Sequence, residues 1–118
     1  MRIVGCSTLV ALLVAAAPAW GQPAGNSDSV QAGHKLAILV CGNCHVAAPD
    51  QPNNPILRPP AASFESIVRR KSVDAAWLGN FLKTTHRGLD QPNGMPNPEL
   101  LDFQIKQVTD YLLSLRKN

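Results

Sequence analysis

Cys41-Gly42-Asn43-Cys44-His45 is the stretch whose reading decides how this chain folds. Two thiols three positions apart, with a histidine directly after the second, form the attachment pattern for a c-type haem. The spacing has a physical reason. The thiols can add to the two vinyl groups on one edge of the porphyrin, and the next residue then brings its imidazole under the iron. Cys41 and Cys44 are therefore the candidate covalent attachment residues, and His45 is the candidate proximal iron ligand. Gly42 and Asn43 are small, which lets the backbone turn tightly against the ring edge.

Other chemistries use the same residue types. A structural zinc site needs four ligands, usually a second cysteine pair or two histidines, and no cysteine follows Cys44. A thioredoxin-like redox pair sits beside a βαβ pattern, and the chain has no strand-rich run. A plain disulfide between Cys41 and Cys44 would leave His45 without a role.

Arg2, the apolar run Leu9 to Ala17, and the small residues around Ala19-Trp20-Gly21 read as a secretory signal peptide over residues 1–21. The run is too short to span a bilayer as a stable helix, so no membrane insertion is expected once the signal is removed. Cys6 precedes the apolar run, and lipid attachment there is not expected. Cleavage after Ala19 or Gly21 takes Cys6 away and leaves only Cys41 and Cys44. Export suits the haem reading, because c-type attachment in bacteria is completed outside the cytoplasm. The expected location is the periplasm.

Of the eleven Lys and Arg, Arg2 leaves with the signal, and the rest stand against eight Asp and Glu. The mature charge is slightly positive, and two haem propionates would bring it close to neutral. Nothing in this balance calls for nucleic acid, and Arg69-Arg70-Lys71 reads as a solvated helix end. The mature chain is long enough for one small domain with a thin core. A covalently held haem can staple such a core.

Residues 22–28 are Pro/Gly-rich and read as a disordered lead-in to a domain over residues 29–118. Asp28 or Ser29 can cap the first helix, with Gln31 completing a capping box after Asp28. Val30, Gly33, Ala37 and Val40 then recur at helical spacing up to Cys41. Pro49, Pro52, Pro55, Pro59 and Pro60 make the next stretch a stiff loop. Ser63 can open a short helix carrying Phe64, Ile67 and Val68. Ser72 or Asp74 can open another, carrying Trp77, Leu78, Phe81 and Leu82. Gly88 to Pro98 reads as loop. Leu101, Ile105, Val108, Leu112 and Leu115 form one stripe of a closing helix that starts at Asn97-Pro98 or Asp102. Arg116 and Lys117 suit its C-terminal dipole. The fold class is all-α.

A low-spin haem needs a sixth ligand, and Met95, His86, His34 and Lys83 are of the right type. Met95 is the only methionine left after signal removal, and it lies between Gly94 and Pro96 in a polar loop. Core filler is the usual role of a lone methionine, and this setting suits that role poorly. Met95 is taken as the second iron ligand, with His86 as the alternative. His/Met ligation raises the potential of the iron.

With the attachment motif and Gly94-Met95-Pro96 both in place, residues 30 to 116 resemble small bacterial monohaem class I cytochromes c. Gly33, eight residues before Cys41, stands where that family has a glycine at the crossing of its first and last helices. Tyr111-Leu112-Leu113-Ser114-Leu115 is similar to the closing helix, and Trp77-Leu78 with Phe81-Leu82 to the helix ahead of the methionine loop. Two positions depart from the pattern. The usual Gly-Pro after the motif is missing, replaced by Asn54-Pro55 and Arg58-Pro59-Pro60, so the resemblance names no one proline carbonyl for the His45 ring. Ala37 stands where many members have an aromatic.

The resemblance implies N- and C-terminal helices packed around one covalent haem c, with residues 29–118 as the cytochrome c domain. It implies one-electron transfer with redox protein partners, a dehydrogenase or an oxidase, by a monomer in a respiratory chain. Arg58, Arg69, Arg70 and Trp77 are candidates for contact with the propionates. A dedicated haem subunit or docking partner of one dehydrogenase or respiratory complex is the alternative role. Peroxidase catalysis would need an open sixth site, against which Met95 argues; the chain is not expected to be an enzyme.

Overall fold

The computed structural model describes residues 24–84 and 94–116, and these form four helices. They are α1 (Ala24–Cys41), α2 (Phe64–Val68), α3 (Ala75–Lys83) and α4 (Asp102–Ser114). Among the described residues the only β pairing is an isolated parallel bridge between His45 and Ala61. The all-α expectation holds. The expected signal peptide, His86 and Lys117 lie outside the described residues.

α1 begins at Ala24, earlier than the cap expected at Asp28 or Ser29. Residues 24–28, expected in the lead-in, are its first turns. Pro23 immediately precedes the helix, and no further proline interrupts it before Cys41. The buried stripe of α1 is Gly33, Ala37 and Cys41, with Val30 half-buried at its start. Val40, expected on that stripe, is turned outward. Cys41 stands one full turn beyond Ala37 and takes the inner place, which leaves Val40 to one side.

The main packing contact joins α1 to α4. A Cβ built on Gly33 would lie 1.9 Å from the Gln107 carbonyl oxygen and 2.9 Å from Tyr111 Cβ. Only glycine admits this approach. Ala37 is fully buried beside it. Gly33→Val should therefore destabilise the protein by about 1–3 kcal/mol or more, read as a lowered melting temperature. An unchanged melt would mean that α1 and α4 do not meet at Gly33.

On α4, Ile105, Val108 and Leu112 are buried as the stripe predicts, and Tyr111, which the stripe does not include, is buried beside them. Leu101 is not part of it. The helix starts at Asp102, Leu101 sits on extended backbone as the N-cap, and its N–H donates to Gln104 Oε1 at 2.9 Å. Arg116 also departs from its expected role at the helix dipole. Its guanidinium donates to the carbonyls of Val68 and Val73, so the end of α4 holds the exit of α2.

Ser29 Oγ and Lys106 Nζ each donate to Asp110 Oδ2 at 2.6 Å, a polar tie between α1 and α4. Partial burial raises the Asp110 carboxyl, but the bonds from Lys106 and Ser29 outweigh it and hold the group below its ordinary value. A carboxyl depressed by folding adds stability above its unfolded pKa and loses it as pH falls through the folded one. The melting-temperature gap between the native protein and Asp110→Asn should thus narrow below about pH 4. A gap that stays constant through the acid range would remove Asp110 from the acid limb.

The two short helices are capped as expected. Ser63 Oγ accepts from Ser66 N at 3.2 Å at the start of α2, and Asp74 Oδ1 accepts from Trp77 N at 2.8 Å at the start of α3. α3 splits its four large apolar residues. Leu78 and Leu82 are buried, whereas Trp77 and Phe81 are exposed and stacked on each other, 4.8 Å apart and 9° from parallel.

Candidate functional site at Cys41, Cys44 and His45

α1 runs to Cys41, and the chain then tightens. The N–H groups of Cys44 and His45 both donate to the Cys41 carbonyl, at 3.1 and 2.9 Å. One turn therefore carries both thiols and the imidazole. Cys41 is buried and Cys44 partly so, and both are free thiols. Burial, with Cys44 beside it as the smaller cause, pushes the Cys41 thiol up to about 11. The chain presents it protonated.

The proline-rich loop returns over the motif. Ile56 N and Leu57 N donate to the Asn43 carbonyl at 2.9 and 3.3 Å. Arg58 Nη1 donates to Pro55 O at 2.9 Å within the same loop. Gln51 ties the turn after His45: its Oε1 accepts from Ala47 N at 2.7 Å and Ala48 N at 3.3 Å, and its Nε2 donates to Asn53 O at 2.7 Å. Tyr111 reaches in from α4 and donates its hydroxyl to Ala47 O at 3.0 Å. Burial raises that phenol, and Asp50 adds to the effect.

The His45 ring is fixed from beneath by the segment leading into α2. Nδ1 lies 2.7 Å from the Ala62 carbonyl oxygen. A carbonyl can only accept, so Nδ1 carries a proton and donates it, and Nε2 is the ring nitrogen not spent on this bond. The expected proline carbonyl is not the acceptor. Ala61 and Ala62 run parallel to the motif, with Ala61 N donating to Cys44 O at 2.9 Å, and this puts the Ala62 carbonyl rather than that of Pro59 or Pro60 at the ring.

Met95 is half-buried and packs against the same apolar cluster to which Cys41 belongs. His34, the remote ligand candidate, is engaged elsewhere. Its Nε2 is 2.8 Å from Asp50 Oδ1, and its ring meets Tyr111 edge-on at 5.1 Å. The bond from His34 lowers the Asp50 carboxyl. Lys83 pairs with Asp102 at 3.0 Å. Among the propionate candidates, Arg58 is bound to Pro55, Arg69 pairs with Glu65 at 2.6 Å, and Arg70 is exposed.

These residues fit a haem by the chemistry of their donors. Two free thiols share a turn with an imidazole whose Nδ1 is already hydrogen-bonded, so that Nε2 is the ring nitrogen that could meet an iron. Partly exposed apolar side chains lie by the motif: Val40 and Val46 flank it in sequence, and Ile56 and Leu57, whose backbone N–H groups bond to Asn43, are 76% and 45% exposed. A patch of this kind marks a surface that something apolar covers. Among the described residues, no group of three His, Cys, Asp or Glu is arranged to hold a bare metal ion.

Sequence reasoning missed Ala62, because its part is played by a backbone carbonyl that no residue type signals. It missed Gln51 and the contact of Phe64 with His45 as well, since periodicity marks Phe64 only as the apolar face of a short helix.

An all-α domain whose first helix runs into a turn with two thiols and a tethered imidazole has the make-up of a haem-binding protein. The family model described as Cytochrome c matches residues 30–116. The chain belongs to the cytochrome c family, whose members bind covalent haem c and act with redox partners. No curated protein and no solved structure matches it significantly.

Proposed function

We propose that this protein is a periplasmic one-electron carrier with a single haem c, bound through Cys41 and Cys44 and ligated by His45 and Met95. The observation that carries the reading is the 2.7 Å contact from His45 Nδ1 to the Ala62 carbonyl. It commits one ring nitrogen as a donor and leaves Nε2 as the atom for the iron. The bound haem supplies the one-electron couple.

The protein's own residues do the rest. Cys41 and Cys44 hold the macrocycle by thioethers, so it stays in place through repeated oxidation and reduction. The Ala62 carbonyl orients the imidazole and raises its basicity. Met95 brings a soft thioether that favours the ferrous state and lifts the potential. Ile56, Leu57, Val40 and Val46 offer apolar cover to a ring edge. Among the described residues no helix is long and apolar enough to cross a membrane, and the reading of residues 1–21 as an export signal supports the periplasm.

A carrier with both axial positions filled exchanges electrons without binding a substrate at iron. Rapid mixing with small redox mediators should show fast, reversible oxidation and reduction. Peroxidase turnover should stay at the low level of other six-coordinate cytochromes. Substantial steady-state peroxidase activity in protein with a native spectrum would overturn the carrier reading.

A further inference from the structure

Among the described residues, those at 61–64 supply the contacts that constrain the His45 ring itself. The Ala62 carbonyl accepts Nδ1–H. On either side, Ala61 N donates to Cys44 O at 2.9 Å and Phe64 N donates to Val46 O at 3.0 Å. The backbone flanking Ala62 is thus pinned to the backbone flanking His45. The Phe64 ring lies 5.5 Å from the imidazole, centroid to centroid, and is tilted 56° to it. Phe64 is itself only 5% exposed, the first residue of α2 behind the Ser63 cap.

These restraints do different things. The pinned backbone fixes where the carbonyl stands. The hydrogen bond fixes the tautomer but tolerates swing, because the ring torsion of histidine has broad wells. A buried aromatic beside the imidazole limits that swing sterically. Ring orientation matters because a hydrogen bond weakens steeply as it bends, and its strength sets the basicity of the ligand.

We propose that Phe64 is a positioning residue for the axial histidine: its ring holds the His45 imidazole in the plane that best aims Nδ1–H at Ala62. This rests on the reading of His45 as the iron ligand. A well-aimed Nδ1–H makes Nε2 a stronger donor, which favours ferric iron and holds the potential down. Loosening the ring raises the potential.

The test uses the full, haem-loaded protein. Phe64→Leu should raise the midpoint potential and alter the g-value anisotropy of the ferric low-spin electron paramagnetic resonance signal. Phe64→Tyr, which keeps the ring, should return both to native values. Val68→Ala, on the same helix and 1% exposed, should lower the melting temperature and leave both unchanged. Native values in Phe64→Leu, or equal shifts in Val68→Ala, overturn the proposal. If Phe64→Leu does not load haem, Phe64→Trp replaces it: the larger ring should displace the imidazole and shift both readouts, and native values overturn the proposal. His45→Ala separates the two levels. A low-spin spectrum that survives in His45→Ala sinks the ligand reading, whereas its loss beside native values in Phe64→Leu sinks positioning alone.

Discussion

Replacing Cys41 and Cys44 together by alanine is expected to abolish covalent haem and leave a largely unfolded chain. The native protein, by contrast, should keep its haem through denaturation and acid-acetone extraction. The reason lies in the size of the core. Only thirteen apolar residues are buried among the described ones, and Cys41 is one of them. By the motif, Ile56 is largely exposed and Val40, Val46 and Leu57 are partly so. A domain this small depends on its staple. Circular dichroism of the haem-free double variant checks the outcome. A well-folded, cooperatively melting chain without haem would show that α1 and α4 suffice alone.

The second large effect tests Met95 as the proposed second ligand. Met95→Ala is expected to remove the weak sulfur-to-iron absorption band near the red edge of the visible spectrum in the oxidised protein. It should also lower the potential, since water, histidine or lysine replaces the thioether. His86→Ala should change neither property. The opposite pattern, a band lost in His86→Ala and kept in Met95→Ala, would assign the ligand to His86. His34 and Lys83 are poorer substitutes in the native protein, because Asp50 and Asp102 engage them.

Much of the architecture was legible from local chemistry. Ser63 and Asp74 are short polar acceptors placed just ahead of apolar runs, and both cap the helices they were expected to open. Five prolines between Pro49 and Pro60 exclude a helix there, and the loop they form carries no helix. The closing stripe identified Ile105, Val108 and Leu112 because helical periodicity needs no tertiary information. Its ends were less legible. Leu101 is apolar at the correct spacing, yet it is the N-cap, since the choice of first turn depends on Gln104 reaching back to its N–H.

Cys41-Gly42-Asn43-Cys44-His45, by itself, pointed to the cofactor, because covalent attachment demands fixed residue types at fixed spacing along one turn, and the apolar stripes at helical spacing gave the all-α frame. Glycine at 33 was likewise readable, since a close helix crossing excludes any Cβ. Only the tertiary structure decided what orients His45. That role belongs to a carbonyl at Ala62 and a ring at Phe64, and backbone acceptors carry no residue signature while aromatic contacts depend on which elements meet. Arg116 follows the same logic. Its charge was legible as a helix-end cation, but the carbonyls it binds, at Val68 and Val73, lie far away in sequence and come within reach only when α4 docks beside α2.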